Sequence, residues 1–474
     1  MTPLVPLAIF GWIPVTLMLF ALLPPRRAAV VALVGGWLFL PVAGFKVSGM
    51  PAYDKSVAAT LPVLLGALLF DTQRVLGLRL KWWDVPMLVL CLCPMATSIS
   101  TDKGVYDGTS AVLSNFLLWG LPYLVGRIFF TDLASMKELA MGVLVGAVVY
   151  APLCLLEVRI SPQLHRAVYG FHQHSFLQHL RYGGYRPMVF MNHGLMVGFW
   201  LAAGTVVCAM AWLSGSVRHV LGVPIAVCLI VLVMTTILCK AVGAIAIMGV
   251  GLAAVFVVRR RPWPIVLILA AIPLYVTVRA SGLVAQDSIT SLLAGVVDAE
   301  RLQSLQGRMT QEDLFGARAL QRPVFGWSSW DFFPRDATGK AYRGVDAIWT
   351  IMLSAYGLVG LTSFLLAMLV PIVRFMRCYP VRFWRHAEVA PGAAMALVLL
   401  MWVCDSLLNG MPTPIYPVLA GALGATAGLQ RKPQRSGRPM GDVCLARGGE
   451  ISGGARVRVR TPADAAGGGP WAAV

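Results

Sequence analysis

The chain has 474 residues, 58% of them hydrophobic and 13% charged, whereas a soluble domain is about half apolar and about a quarter charged. The total, about 275 apolar residues, is enough for roughly thirteen bilayer spans of ~20 residues each; it excludes a soluble enzyme, a disordered chain and a secreted disulfide scaffold. The net charge of +18, from 39 Lys and Arg against 21 Asp and Glu, would point to nucleic acid in a soluble protein, but in a membrane protein its placement sets topology, and no nucleic-acid partner is expected.

In chain order, apolar runs fall at 4–23, 28–45, 56–70, 85–100, 110–130, 138–157, 188–213, 219–238, 241–258, 263–280, 348–373, 391–408 and 411–429. They predict an all-α polytopic membrane helix bundle of about thirteen spans, with a range of twelve to fourteen. The uncertain runs are the short one at 56–70 and the last pair, which Pro412, Pro414 and Pro417 interrupt. The first run has no basic residue before it and is long for a signal-peptide core, so it reads as a retained span. Basic loops at Arg26-Arg27, at Arg74, Arg79 and Lys81, at Arg259 to Arg261, and at Arg374, Arg377, Arg382 and Arg385 all fall on one face when the helices alternate. Their excess assigns that face to the cytoplasm. Residues 1–429 then form the membrane domain, and 430–474, rich in Gly, Ala and Arg without periodicity, form a disordered basic cytoplasmic tail.

This topology puts two long polar segments, 158–187 and 281–347, on the outer face. The first is dense in His, Arg and aromatic residues. The second holds Ala299 to Gln321, where Leu302, Leu305, Met309 and Leu320 recur at helical intervals, predicting an amphipathic helix at the membrane surface or against the bundle. Neither segment contains cysteine, so neither a disulfide framework nor a Cys-rich zinc site is expected there. Among the ionisable groups in or beside the apolar runs, Arg127, Glu157, Lys240 and Asp405 stand out, and such groups mark function by default. Arg127 reads as an interfacial residue reaching water; the other three point toward the face of the two long segments. Several arginines on one outward cavity suit a phosphate or pyrophosphate, which the guanidinium fork pairs bidentately.

The stretch Gly307-Arg308, then Pro323-Val324-Phe325-Gly326-Trp327-Ser328, then Asp346-Ala347-Ile348-Trp349 and Gly357-Leu358-Val359-Gly360 resembles the long outer loop and following helix of the bacterial O-antigen ligase and polymerase family. Arg186 with Asn192 and His193, and Lys240 followed by small residues, are similar to further basic and polar positions of that family. Ser328 stands where the second Gly of P-x-x-G-x-G is usual, which predicts a turn built differently, and Asp346 stands where the ligases carry His, which favours a polymerase-type member.

The resemblance implies a membrane glycosyltransferase of the GT-C type in the bacterial inner membrane, working on the periplasmic side without nucleotide sugar, metal or other cofactor. The implied donor is a glycan on undecaprenyl pyrophosphate; the acceptor is a lipid-linked unit in a polymerase or lipid A-core in a ligase, and a chain-length regulator is a further candidate partner. In chemical terms, the departing pyrophosphate needs fixed positive charge, for which Arg181, Arg186 and Arg308 are the candidates, helped by Lys240 and Arg322. Asp346 is the candidate base for the acceptor hydroxyl, with Glu157 and His193 in reserve. Other readings stand beside these. Asp346 equally suits a helix cap, and Arg308 and Arg322 a solvated helix face. His165, His172, His174 and His179 suit a sugar-binding surface with Tyr182 or Tyr185, or a zinc cluster. Trp327, Trp330 and Trp349 suit sugar stacking or the interfacial belt. A transporter or flippase using the same cavity for binding alone is the rival from another class.

Overall fold

The computed structural model describes residues 2–46, 51–181, 183–257, 261–282, 299–336, 338–342, 344 and 346–427. Tyr182, most of 281–298 and the 430–474 tail expected to be disordered lie outside the described residues.

Helix is the dominant structure, as the apolar runs require. The first half of the chain forms α1 (Leu4–Leu22), α2 (Pro25–Phe39), α3 (Lys55–Phe70), the short α4 (Thr72–Leu76), α5 (Val85–Ser100), α6 (Gly104–Asn115), α7 (Leu121–Phe129), α8 (Leu133–Ile160) and the short α9 (Leu164–Tyr169). The second half forms α10 (Gly194–Ser214), α11 (Ile225–Leu238), α12 (Val242–Val257), α13 (Trp263–Ala280), α14 (Ala299–Leu320), α15 (Ile348–Cys378), α16 (Ala390–Ser406) and α17 (Ile415–Thr426). Among the described residues the only strands are three two-residue hairpins: β1–β2 (Gly44–Phe45 with Tyr53–Asp54), β3–β4 (Leu180–Arg181 with Gly184–Tyr185) and β5–β6 (His219–Val220 with Val223–Pro224).

Each of the apolar runs carries helix, and among the described residues seven helical stretches are long and apolar enough to cross a membrane: α1, α5 with its preceding turn, α6 with α7, α8, α10, α13 and α15. The others are shorter; α11 and α12, at 14 and 16 residues, are separated only by Cys239-Lys240-Ala241. Pro412 and Pro414 lie ahead of α17 and not inside it, since proline is tolerated at a helix start and disrupts an interior. Asp54 caps α3 by accepting from Ser56 N and Val57 N at 2.9 and 3.0 Å, and Asp132 caps α8 from Ser135 N at 2.7 Å.

The centre of the bundle is α10, most of whose residues are buried; it packs against α8, α11, α12 and α16. At the periphery α1 buries only Val5, Ile9, Thr16 and Phe20 and leaves Leu7, Met18 and Leu22 62–68% exposed. An apolar outer surface of that extent calls for lipid or another apolar cover. Helices α7 and α17 approach through Gly126 and Gly421, where a Cβ on either would collide with the carbonyl of Val418 or Tyr123; small residues at such crossings allow the close backbone contact that membrane helices use.

The helix α15 is broken at Gly357, whose backbone (φ 66°, ψ −162°) is non-helical. The exposed carbonyls and amides of the break are taken by 323–328: Leu358 N donates to Pro323 O (2.7 Å), Val359 N to Val324 O (3.3 Å), Trp327 N to Ser354 O (2.9 Å) and Ser328 N to Ala355 O (3.0 Å). The two glycine-bearing motifs are thus one unit in space. Ser328 adopts φ 78°, the left-handed backbone that glycine favours, so the expectation that the turn is built differently is corrected: the turn keeps a glycine-type backbone with serine in place.

Candidate functional site

At one end of the bundle a cavity of about 780 Å³ is lined from both long polar segments: by His174, Gln178, Arg181 and Arg186 of the first, with His193 just beyond it, and by Gln303, Gly307, Arg308, Gln311 and Asp346 of the second. The α16–α17 connection adds Asn409 and Gly410. Five of the nine residues singled out from sequence therefore meet there: Arg181, Arg186, His193, Arg308 and Asp346.

Arg186 and His193 stand at the two ends of a strap, 186–193, that has no regular structure. Its backbone groups are satisfied by side chains from the bundle. Glu157 accepts from Met188 N (2.8 Å) and Val189 N (2.7 Å) with one oxygen and from Leu164 N (2.8 Å) with the other. Tyr150 Oη accepts from Phe190 N (2.9 Å), Lys55 Nζ donates to Phe190 O (2.6 Å), and Gln173 Nε2 donates to Val189 O (3.0 Å). A buried backbone without such partners would be costly. Glu157 is fully buried and lies outside the cavity lining, so its reserve role as base is corrected to that of a brace. Asn192 is exposed on the strap, also outside the lining.

Lys240, in the turn between α11 and α12 with φ 54°, is a brace too and does not line the cavity. Its Nζ donates to Arg181 O (3.2 Å) and its carbonyl accepts from Arg186 Nη2 (3.2 Å), so one residue ties both arginine-bearing segments together. Gly194 is required beside it, because a Cβ there would lie 2.5 Å from Arg186 Cδ.

On the opposite wall, α14 is held by a buried polar cluster. Arg279 at the end of α13 donates through Nε to Glu312 Oε2 (2.8 Å) and through Nη2 to Asp313 Oδ1 (2.8 Å), while Tyr275 Oη donates to Glu312 Oε1 (3.0 Å). Arg279 and Glu312 are 4% exposed each, and their pairing sets which face of α14 turns inward. That face is Met309, Glu312, Phe315 and Ala319. Leu320, expected in the apolar stripe, is 59% exposed, and Leu305 faces the cavity. Arg308, one turn before Glu312, is thereby aimed at Asp346, with Nε 3.8 Å from Asp346 Oδ2. Asp346 precedes the N-cap Ala347 and makes no capping bond to α15, which removes the capping reading.

Arg322 is elsewhere. Its Nη1 donates to Ser100 O (2.8 Å) and its guanidinium lies 4.7 Å from the Trp327 ring centre, beside Arg318 at 3.3 Å. It secures the 322–328 turn against α5, correcting its assignment to the cavity. Trp349 is buried and Trp330 is exposed; neither lines the cavity.

Two histidines, His174 and His193, line one wall, and the buried His179 packs against both. The His174 and His193 rings are 4.8 Å apart, with His179 5.7 Å from His193. His193 Nδ1 accepts from Leu195 N (3.1 Å), capping α10. Burial, followed by the neighbouring His174 and Arg186, lowers His179 to about 4 and His193 to about 3, so both rings are neutral near pH 7. No group of three or more His, Cys, Asp or Glu among the described residues is placed to hold a metal ion. His165 is apart from the wall: it accepts from Val42 N (3.1 Å) and bonds Phe171 O (2.9 Å), a core histidine with its tautomer set.

Gln178, Asn409, Gln311, Lys55 and Arg279 escaped the sequence reading. Arg279, inside an apolar run, and Lys55, directly before one, carried a signal that could have exposed them.

Fold and site together define a helical protein with, among the described residues, seven helical stretches fit to cross a membrane and, at one end, a basic cavity with histidines on its wall. Compared with known proteins, the chain matches no family model, and no curated protein matches it in sequence.

Proposed function

We propose that this protein is a membrane glycosyltransferase that polymerises undecaprenyl-pyrophosphate-linked oligosaccharide units into a surface or exopolysaccharide. In this reading the thirteen apolar helical stretches all cross the bacterial inner membrane and the cavity opens to the periplasm. The observation that carries the reading is the convergence of Arg181, Arg186 and Arg308 with Asp346 on one cavity, drawn from two segments more than a hundred residues apart.

The chemistry follows from that grouping. An acceptor hydroxyl oxygen attacks the anomeric carbon of the donor sugar, its proton passes to the Asp346 carboxylate, and the bond from that carbon to the pyrophosphate oxygen breaks. The electron pair leaves with undecaprenyl pyrophosphate. Guanidiniums fixed around the departing oxygens supply the charge stabilisation that such a step needs, about 3–4 kcal/mol for a single well-placed donor. His174 and His193 with Gln178 and Asn409 present donors and acceptors suited to sugar hydroxyls.

The test is the mass profile of undecaprenyl-linked intermediates in a strain lacking the protein. Accumulation of single repeat units supports polymerisation. Long unattached chains assign a ligase that moves finished glycan to an acceptor. Transport of lipid-linked sugar in vesicles with Arg186→Ala and Arg308→Ala, and no glycosidic bond formed by the native protein, assigns a flippase.

A further inference from the structure

At the far end of α15 from the cavity lies a second, smaller recess of about 240 Å³, lined by Arg74, Arg79, Lys81, Trp83, Arg127 and Thr131 among others. Two of its four cations are already neutralised. Arg74 Nε pairs with Asp71 at 2.6 Å. Arg127 Nε pairs with Asp84 at 2.8 Å, and Tyr123 Oη donates to the same carboxylate at 2.7 Å. Arg79 and Lys81 are exposed and have no ion-pair partner among the described residues. The guanidinium of Arg374, 3.3 Å over the Trp83 ring, adds positive charge behind the recess.

The rim is apolar where a soluble ligand would have no use for it. Leu76, Leu80 and Trp82, which alternate with the basic residues, are 79%, 54% and 63% exposed. They sit where α5 begins and where α7 and α17 end, the level at which an apolar helix leaves hydrocarbon for headgroups and at which tryptophan concentrates.

We propose that this recess binds the phosphodiester headgroup of an anionic phospholipid, with Arg79 and Lys81 on the non-bridging oxygens and Leu76, Leu80 and Trp82 against the acyl chains. Basic pockets between membrane helices recognise lipid phosphate in this way. The site needs only that the helices span a bilayer; it stands or falls separately from sugar transfer.

The test uses full-length protein in nanodiscs of phosphatidylcholine with increasing phosphatidylglycerol, reading retained lipid by native mass spectrometry. Wild type is expected to retain phosphatidylglycerol selectively. Arg79→Gln with Lys81→Gln raises the half-saturating mole fraction by about tenfold or more. Arg79→Lys with Lys81→Arg keeps it near wild type and guards against a folding artefact. Arg377→Gln with Arg382→Gln removes the same charge from the same end outside the recess and leaves retention unchanged. Equal retention in wild type and the Gln pair overturns the proposal, as does an equal loss in the Arg377 and Arg382 pair, which would mean diffuse attraction. Saturation of the recess by glycerol phosphate or inorganic phosphate, with no added retention of phosphatidylglycerol, assigns the phosphate to a soluble source and overturns the lipid.

Discussion

Asp346→Asn separates chemistry from structure at the cavity. The carboxylate is 50% exposed, its Arg308 partner is 27% exposed, and their nearest atoms are 3.8 Å apart. A pair so loose and wet contributes about 0–1 kcal/mol. It makes no capping bond to α15, so the amide also leaves that helix end unchanged. Stability should therefore shift by less than about 1 kcal/mol, a melting change of roughly 2–4 °C at most. A general base, by contrast, contributes typically 10²–10⁴-fold in rate, about 3–5 kcal/mol of barrier. The assay is polymer formed from purified lipid-linked repeat units by protein in liposomes, with a parallel thermal unfolding scan. Turnover down at least a hundredfold with an unchanged melt is the expected result. Polymer at near-wild-type rate refutes the assignment and moves the base to His193, which shares the cavity.

Three further outcomes follow from the geometry. Ser328→Gly relieves a left-handed residue (φ 78°) whose hydroxyl is buried without a partner, and it should raise stability by up to about 1 kcal/mol in a denaturation series. Glu312→Gln removes one carboxylate partner of the buried Arg279 charge and keeps Asp313 at 2.8 Å; a loss near the low end of the ~3–5 kcal/mol for a broken buried pair should show as faster amide exchange along α14 and reduced turnover. Acid should loosen the strap region: burial holds His165 and His179 down to about 4, below their unfolded value near 6.5. Their contribution is complete above about pH 6.5 and is lost as pH falls toward 4, because the unfolded chain binds the proton first. Exchange protection of 164–193 measured from pH 7 to 4 checks this, and a flat profile contradicts it.

Hydropathy reported the helices faithfully because burial in apolar surroundings acts on every residue of a run alike. The break at Gly357 stayed hidden inside the continuous apolar run 348–373, since its cause is a partner segment, 323–328, that hydrogen-bonds across it. The inward face of α14 departs from its apolar stripe for a related reason: two charged residues, Arg279 and Glu312, bury each other, while Leu320 lies at the surface. At the site, arginines on irregular segments could be nominated by type and by which long segment they occupied. What could not be read was which of them are braces. Lys240 and Arg322 look like ligands in sequence, yet their roles are set by contacts that include residues 59 and 222 positions away.

The cavity wall formed by the strap borrows its rigidity from the bundle, and Glu157 is where that dependence can be measured. Its two oxygens accept three backbone N–H groups. Glutamine at this position turns one accepting oxygen into a donor, so at least one buried N–H loses its partner, at a cost of about 1–3 kcal/mol. The strap carries Arg186 and His193 at its ends, and a misplacement of about 1 Å can lower a rate on the order of a hundredfold. A brace and a base predict different signatures for Glu157→Gln. Loss of a brace lowers the melting temperature and raises KM for the lipid-linked donor, with the pH dependence of turnover unchanged. Loss of a base leaves the melt intact and removes the acid limb of the pH profile. The first pattern is the expected one, because no Glu157 oxygen reaches the cavity; the second would return Glu157 to the reacting atoms and require the strap to open during turnover.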